Sequence, residues 1–333
     1  MKNGAHYIAM QTFRQLWPTK PEFTESDIPN LHGKVYLVTG STSGIGRELA
    51  CVLYSRNAVV YIGARSESKA AATIEAMRDE YPNSTGSLHP LTMDLADLKS
   101  VAAAASAFKS KETRLDVLFN NAGVMHPPQG SKTAQGYELQ LGVNNLSHVL
   151  LTELLTPVLA ETAAHEKEAA VRVVWVSSLY AELSSPQHGF EPENMNYVKQ
   201  DRGANFKYSS SKAGVYYQGT DYANKKRHLG IISIICNPGN LQTGLQRYES
   251  RFFKLAMSPF LSPAINGAYT ELFCGLSPEV TIDRSGAYVI PWGQFAPIRS
   301  DLKDGSLSLD EGGTGMAEKW CSWCFEQIAS FIT

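Results

Sequence analysis

The chain has 333 residues, 43% of them hydrophobic, and a formal charge of −2. That composition supports a large core and excludes nucleic acid as the main partner, since no Lys/Arg run overrides the balance. No apolar run is long enough to span a bilayer, no basic-then-apolar leader opens the chain, and the odd, scattered cysteines fit a reducing, cytoplasmic setting.

Residues 1–30 read as an extension. Tyr7, Met10, Phe13 and Trp17 recur at helical spacing until Pro18, which predicts a short helix laid on the protein body; peripheral attachment to a membrane surface is the alternative. Lys34–Gly46, KVYLVTGSTSGIG, then packs a β-rich apolar run, a glycine turn and a helix start into one stretch. Gly40 permits the sharp turn, Gly44 and Gly46 admit close backbone approach, and the helix N-terminus presents unpaired N–H groups to an anion.

From there strands and helices alternate. Strands are predicted at Ala58–Gly63, Leu88–Met93, Leu115–Asn120, Val171–Ser177, Ile231–Cys236 and Gly286–Ile290. Helices are predicted at Ser66–Tyr81, Leu98–Lys109, Gly136–Glu161, Ser209–His228 and Pro263–Cys274. Such alternation predicts a doubly wound parallel sheet of about seven strands, α/β in class, with helices on both faces. One domain is expected over residues 31–300, followed by a C-terminal extension, 301–333, with a closing helix Met316–Phe331. Cys321 and Cys324 form a CxxC in that helix, far from any βαβ unit, and read as a chance pair.

Open sheets of this kind bind ligands beyond the C-terminal ends of their strands. After the second strand comes Ala64-Arg65, where an acid would stand to hold the ribose 2′-OH of NAD; a guanidinium there suits a 2′-phosphate and predicts NADP(H). Later strands end in Asp94-Leu95, Asn120-Asn121-Ala122-Gly123, Ser177-Ser178 and Asn237-Pro238-Gly239-Asn240-Leu241-Gln242-Thr243. Tyr208 and Lys212 share a helix face at i and i+4, but so do Tyr222 and Lys226, about four turns further on. No HExxH or His/Cys cluster suggests a metal.

The glycine turn TGxxxGxG, NNAG, Val143-Asn144, the serine pair, YxxxK and PGxxxT stand in the order of the short-chain dehydrogenase/reductase family, and the chain resembles that family from about Leu31 to Ile290. It is most similar in type to retinol-dehydrogenase-like members and fungal pathway reductases, which carry an insertion between Ser and Tyr as residues 179–207 do here.

The resemblance implies a catalytic set of Asn144, Ser178, Tyr208 and Lys212, with Ser177 as the rival of Ser178. It implies a cofactor surface made by Gly40, Ser41, Ser43, Gly44, Ile45, Gly46, Arg65, Asp94, Leu95, Asn121, Ala122, Gly123, Tyr208, Lys212, Pro238, Gly239, Leu241 and Thr243. In the family the Asp94 position accepts from the adenine amino group, and Asn144 opens its helix and holds a water in the proton path. The PGxxxT stretch holds the nicotinamide carboxamide through Leu241 backbone and the Thr243 hydroxyl.

Phenol titrates near 10. Lowering it by about three units needs about 4 kcal/mol, roughly what one ammonium at about 4 Å supplies at an effective dielectric near 20. Two aromatic-rich stretches, 179–207 and 246–261, are expected to cover a hydrophobic small-molecule substrate. The expected function is NADP(H)-dependent interconversion of a carbonyl and an alcohol on such a molecule, of the secondary-metabolite kind. The rivals are non-redox chemistry on the same fold (dehydration, epimerisation, cyclisation) and a non-enzymatic nucleotide-binding regulator. A homo-oligomer is an open expectation.

Overall fold

A computed structural model describes residues 11–244, 248 and 261–332. Eight strands form one sheet: β1 (Val35–Thr39), β2 (Val59–Ala64), β3 (Ser87–Thr92), β4 (Val117–Asn120), β5 (Val171–Val176), β6 (Ile231–Cys236), β7 (Tyr288–Ile290) and β8 (Gln294–Phe295). Their order is β3-β2-β1-β4-β5-β6-β7-β8. All pairs are parallel except β7–β8. The eighth strand, two residues long, is too short to leave an alternating pattern.

Helices among the described residues flank the sheet. They are α1 (Gly44–Ser55), α2 (Glu67–Glu80), α3 (Leu98–Lys109), α4, α5 (Tyr180–Leu183), α6 (Ala204–Lys226), α7 (Ala264–Leu276), α8 (Ser300–Ser306) and α9 (Met316–Ile328). Helix α4 is composite: Leu139–Leu141, a π-helical turn Gly142–Leu146, then Ser147–Ala164. Residues 11–16 are also helical and stop before Pro18, whose ring cannot continue the helix.

Successive strand residues face opposite sides, so β1 feeds two cores. Val35 and Leu37 join the side chains of α3, α4, α6 and α9. Tyr36 and Val38 join those of α1, α2 and α7. Strand order reverses between β1 and β4, which opens a crevice at their C-terminal ends, the ligand position in such sheets.

The closing helix reaches its predicted end, α9 passing into a 3-10 turn over Ala329–Phe331. Helix α9 packs on α6: Trp320 is buried, and a Cβ on Gly214 would stand 2.2 Å from its ring. Cys321 and Cys324 are buried and unbridged in that interface.

Stretch 179–207 departs from the expected cover. Phe190 is 4% exposed and stacks edge-on against Trp320 and Tyr217, and Met195 packs on the same core. Those apolar side chains complete the core that α9 closes. Most of the second stretch, 246–261, lies outside the described residues.

Candidate active site

The crevice is assembled from strand ends. Gly40 ends β1 with φ +71°, a left-handed conformation that glycine adopts without strain, and a Cβ there would stand 3.0 Å from Ala122 Cβ. Gly46, in the first turn of α1, leaves no room for a side chain: a Cβ would stand 2.5 Å from Asn121 Nδ2. Asn121 Nδ2 donates to Thr39 O (2.7 Å) and Ala122 N to Thr39 Oγ1 (2.9 Å). The NNAG residues thus lock the ends of β1 and β4 together.

Thr243 closes the opposite side, its Cβ 3.3 Å from where a Gly44 Cβ would stand. Ile45 and Leu241 both abut Gly267 of α7. Ser43 caps α1 without spending its hydroxyl on the helix, which leaves it available to a ligand. Arg65 is exposed at the end of β2.

Two residues expected at the cofactor also make bonds within their own turns. Ser41 is fully buried, and its hydroxyl donates to Val38 O (2.9 Å), so its side chain serves the turn itself. One Asp94 carboxylate oxygen accepts from Ala96 N (2.9 Å), and Asp94 N donates to Ser100 Oγ (2.9 Å), so Asp94 also builds the β3–α3 turn. Leu95 beside it packs on the core.

The four residues expected to carry chemistry converge. Helix α6 begins at Ala204, so Tyr208 lies one turn inside it rather than at its start. Tyr208 is 2% exposed, and the Lys212 ammonium lies 5.8 Å from its ring centroid. Lys212 Nζ donates to Val176 O (2.8 Å), at the end of β5. Ser178 follows β5, its Oγ accepts from Tyr180 N (3.3 Å), and its side chain lies near enough to the Tyr208 phenol to lower that group's pKa. Ser177 turns away: its hydroxyl donates to Lys212 O (2.7 Å). Tyr222 is bound to Thr156 Oγ1 (2.8 Å) and stacks on Trp175, deep beneath the site. The structure therefore separates both sequence rivals from the cluster.

Asn144 occupies the π turn. Its Oδ1 accepts from Val124 N (2.9 Å), while its Nδ2 donates to Val124 O (3.1 Å) and Ser211 Oγ (2.9 Å). A π turn disrupts the regular carbonyl ladder, a device common at functional sites. Gly123 sits between Asn144 and Lys212; a Cβ there would stand 3.3 Å from Asn144 Oδ1 and 3.6 Å from Lys212 Nζ.

Sequence reasoning missed His148, His126 and Glu271 here, and placed Tyr180 only among the aromatics of stretch 179–207. His148, one turn beyond Asn144, is buried, with Nδ1 3.3 Å from Asn144 O and Nε2 3.2 Å from Thr39 Oγ1. Burial pushes its pKa down to about 4, so it is neutral. His126 and Tyr180 flank the Tyr208 ring edge-on at 5.7 and 5.4 Å. Glu271, on α7, is completely buried, and neither carboxyl oxygen has a hydrogen-bond partner among the described residues. The spacing of His148 from Asn144 was a visible signal; the others depend on tertiary placement.

Burial dominates the electrostatics. It raises the Tyr208 phenol well above its ordinary value, against a smaller lowering by Ser178. It pushes Lys212 down to about 8, opposed by Cys236 and Glu271, and pushes Glu271 up to about 8, opposed by Lys212. A buried ammonium beside a glycine-lined crevice, an unspent Ser43 hydroxyl and an exposed Arg65 fit a dinucleotide with an anionic centre. Among the described residues no helix is long and apolar enough to cross a membrane.

A family model described as short chain dehydrogenase matches residues 34–189. A Phomopsis amygdali protein named short-chain dehydrogenase/reductase is 46% identical over 336 residues, covering 99% of this chain and 99% of that one. Short-chain dehydrogenase/reductase bet4 of Neocamarosporium betae is 43% identical over 322 residues, 96% of this chain and 93% of the relative. Among solved structures, the Pseudomonas aeruginosa RhlG/NADP active-site complex matches with TM-score 0.61 at 24% identity, over 82% of this chain and 97% of that one.

Proposed function

The chain belongs to the short-chain dehydrogenase/reductase family, and on that premise we propose that it is an NADP(H)-dependent oxidoreductase interconverting a carbonyl and an alcohol on a hydrophobic small molecule. The observation that carries this reading is the Ser178–Tyr208–Lys212 cluster: a buried phenol beside the Ser178 side chain and one helical turn from a buried ammonium. Exposed Arg65, with Ala64 where an acid would select NAD, supports the phosphorylated cofactor. The RhlG structure with NADP is consistent with this choice.

When bound, the nicotinamide supplies or accepts the hydride. Ser178 donates a hydrogen bond to the substrate oxygen and fixes its position beside Tyr208. In the reducing direction Tyr208 Oη gives its proton to that oxygen; in the oxidising direction it takes the proton back. Lys212 stabilises the phenolate and holds the ribose. The phenol lies high in the chain alone because burial outweighs the Ser178 contact. Asn144 has its side chain braced on Val124 and Ser211 and its carbonyl 3.3 Å from His148 Nδ1, a position from which it would pass protons through water.

His126 and Tyr180 border the phenol and are partly exposed, so two aromatic rings stand beside the group that a substrate has to meet. That favours an apolar or flat substrate over a small polar one. The test is NADPH oxidation against a panel of apolar ketones and aldehydes of growing size, with NADP-linked alcohol oxidation alongside. Turnover that rises with apolar size supports the reading; no turnover, or a preference for small polar carbonyls, rejects it.

A further inference from the structure

The N-terminal segment lies outside the stretch that carries the family motifs, yet one of its side chains reaches the centre of the molecule. Gln15 is 2% exposed. Its Nε2 donates to Glu182 Oε1 (2.9 Å), and its Oε1 accepts from Asn237 Nδ2 (2.8 Å). Asn237 Oδ1 in turn accepts from Gly239 N (3.0 Å).

These bonds run one way, and each fixes the next. The Gly239 N–H can only donate, so the Asn237 oxygen must face it and the Asn237 amide nitrogen must face Gln15. Gln15 must then turn its own nitrogen to the Glu182 carboxylate. A flip of either amide would set donor against donor. The two ends of the chain are the two sides of the candidate site. Glu182 lies on α5, one turn beyond Ser178, whose carbonyl accepts from Ala181 N. Gly239 belongs to the loop expected to hold the nicotinamide. Nearby, Arg14 Nη2 donates to Gln294 Oε1 (2.6 Å), which docks the same segment on β8.

We propose that Gln15 is a positioning residue: it sets the spacing between the Ser178 turn and the Pro238–Thr243 loop, so the N-terminal segment is part of the active site's frame. Its catalytic consequence rests on the oxidoreductase reading above; its structural consequence does not. The charged and titratable groups facing Glu182 are Arg299, whose Nη1 donates to the Glu182 carbonyl (2.8 Å), and the Tyr288 and Tyr216 phenols.

The experiment uses Gln15→Ala and Gln15→Glu in the full chain, with two readouts. The first is hydrogen–deuterium exchange without cofactor. Gln15→Ala should speed exchange of the Gly239 amide at least tenfold and leave β6 unchanged. The second is kcat on a ketone that the unaltered enzyme reduces. It should fall at least tenfold in Gln15→Ala, with the KM for NADPH changed less than threefold. Gln15→Glu makes the test specific. Protonated, its carboxyl copies the amide, the hydroxyl donating to Glu182 and the carbonyl accepting from Asn237. Ionised, it faces a second carboxylate. Its kcat relative to the unaltered enzyme should therefore be within threefold at pH 6 and fall at least tenfold by pH 8.5, reversibly. The comparison is internal to one protein, so it stands even where Gln15→Ala does not fold. A flat ratio across that range, or unaltered Gly239 exchange and kcat in Gln15→Ala, overturns the proposal. If the unaltered enzyme reduces no carbonyl, the functional reading fails and the exchange result alone decides the role of Gln15.

Discussion

Replacing Glu271 by Gln should change how stability depends on pH. Glu271 is fully buried on α7 without a hydrogen-bond partner for its carboxyl oxygens among the described residues. Burial raises its pKa from 4.5 to about 8. Below pH 4.5 the carboxyl is protonated in both folded and unfolded chains, and stability is unaffected. As pH rises past 4.5 the unfolded chain ionises while the folded one stays protonated, so stability falls by about 1.4 kcal/mol per pH unit until the folded pKa is reached. Between pH 5.5 and 8 the loss amounts to about 3 kcal/mol. Lys212 does not obscure this window: its pKa is lowered to about 8 from 10.5, so its own gain in stability comes as pH rises from 8 towards 10.5. Gln is nearly isosteric and does not titrate. Urea denaturation at pH 5.5 and pH 8, without cofactor, should show the unaltered protein losing about 3 kcal/mol more than Glu271→Gln. Groups that do not interact with Glu271 cancel in that difference, and Lys212, which loses the support of the Glu271 charge in the variant, shifts further down and only enlarges it. Equal pH dependence in the two proteins would refute the reasoning, because it would mean that Glu271 ionises near its ordinary value in the fold.

Arg65→Ala should weaken NADPH more than NADH; the unaltered chain should prefer NADPH at least tenfold, about 1.4 kcal/mol, and fluorescence titration of both cofactors reads this directly. Tyr222→Phe should keep near-normal turnover and lose about 1 kcal/mol of stability with its bond to Thr156; a collapse of kcat would revive the second YxxxK pair. Trp320→Ala should cost about 3–5 kcal/mol, since the ring is 1% exposed between Gly214 and Phe190. Thermal and chemical denaturation would show a smaller loss if α9 were an appendage.

The sheet was legible because parallel strands buried on both faces leave apolar runs, and β1, β5 and β6 lie where those runs do. The strand-end motifs were legible because each follows a strand at the same edge, while Asn144, Tyr208 and Lys212 lie on helices and were legible through the order of the family motifs. Two kinds of information were not. Side-chain direction depends on local hydrogen bonding, so Ser41 and Asp94 fit a ligand-binding pattern while their side chains also bond to the turns beside them. Long-range partners leave no mark in a linear pattern. Phe190 reads as a loop aromatic until Trp320 arrives from the far end of the chain. Gln15 reads as the polar side of a short helix until Asn237 and Glu182 meet it.

The central claim is that the Tyr208 hydroxyl is the proton donor in a nicotinamide-dependent reduction. Tyr208→Phe keeps the ring among His126, Tyr180 and Lys212 and removes only the transferable proton. With a carbonyl substrate found for the unaltered enzyme, its kcat for NADPH oxidation should fall on the order of 10²–10⁴-fold, while NADPH still binds by fluorescence titration. Near-normal turnover in Tyr208→Phe, with the same substrate and cofactor, would contradict the account.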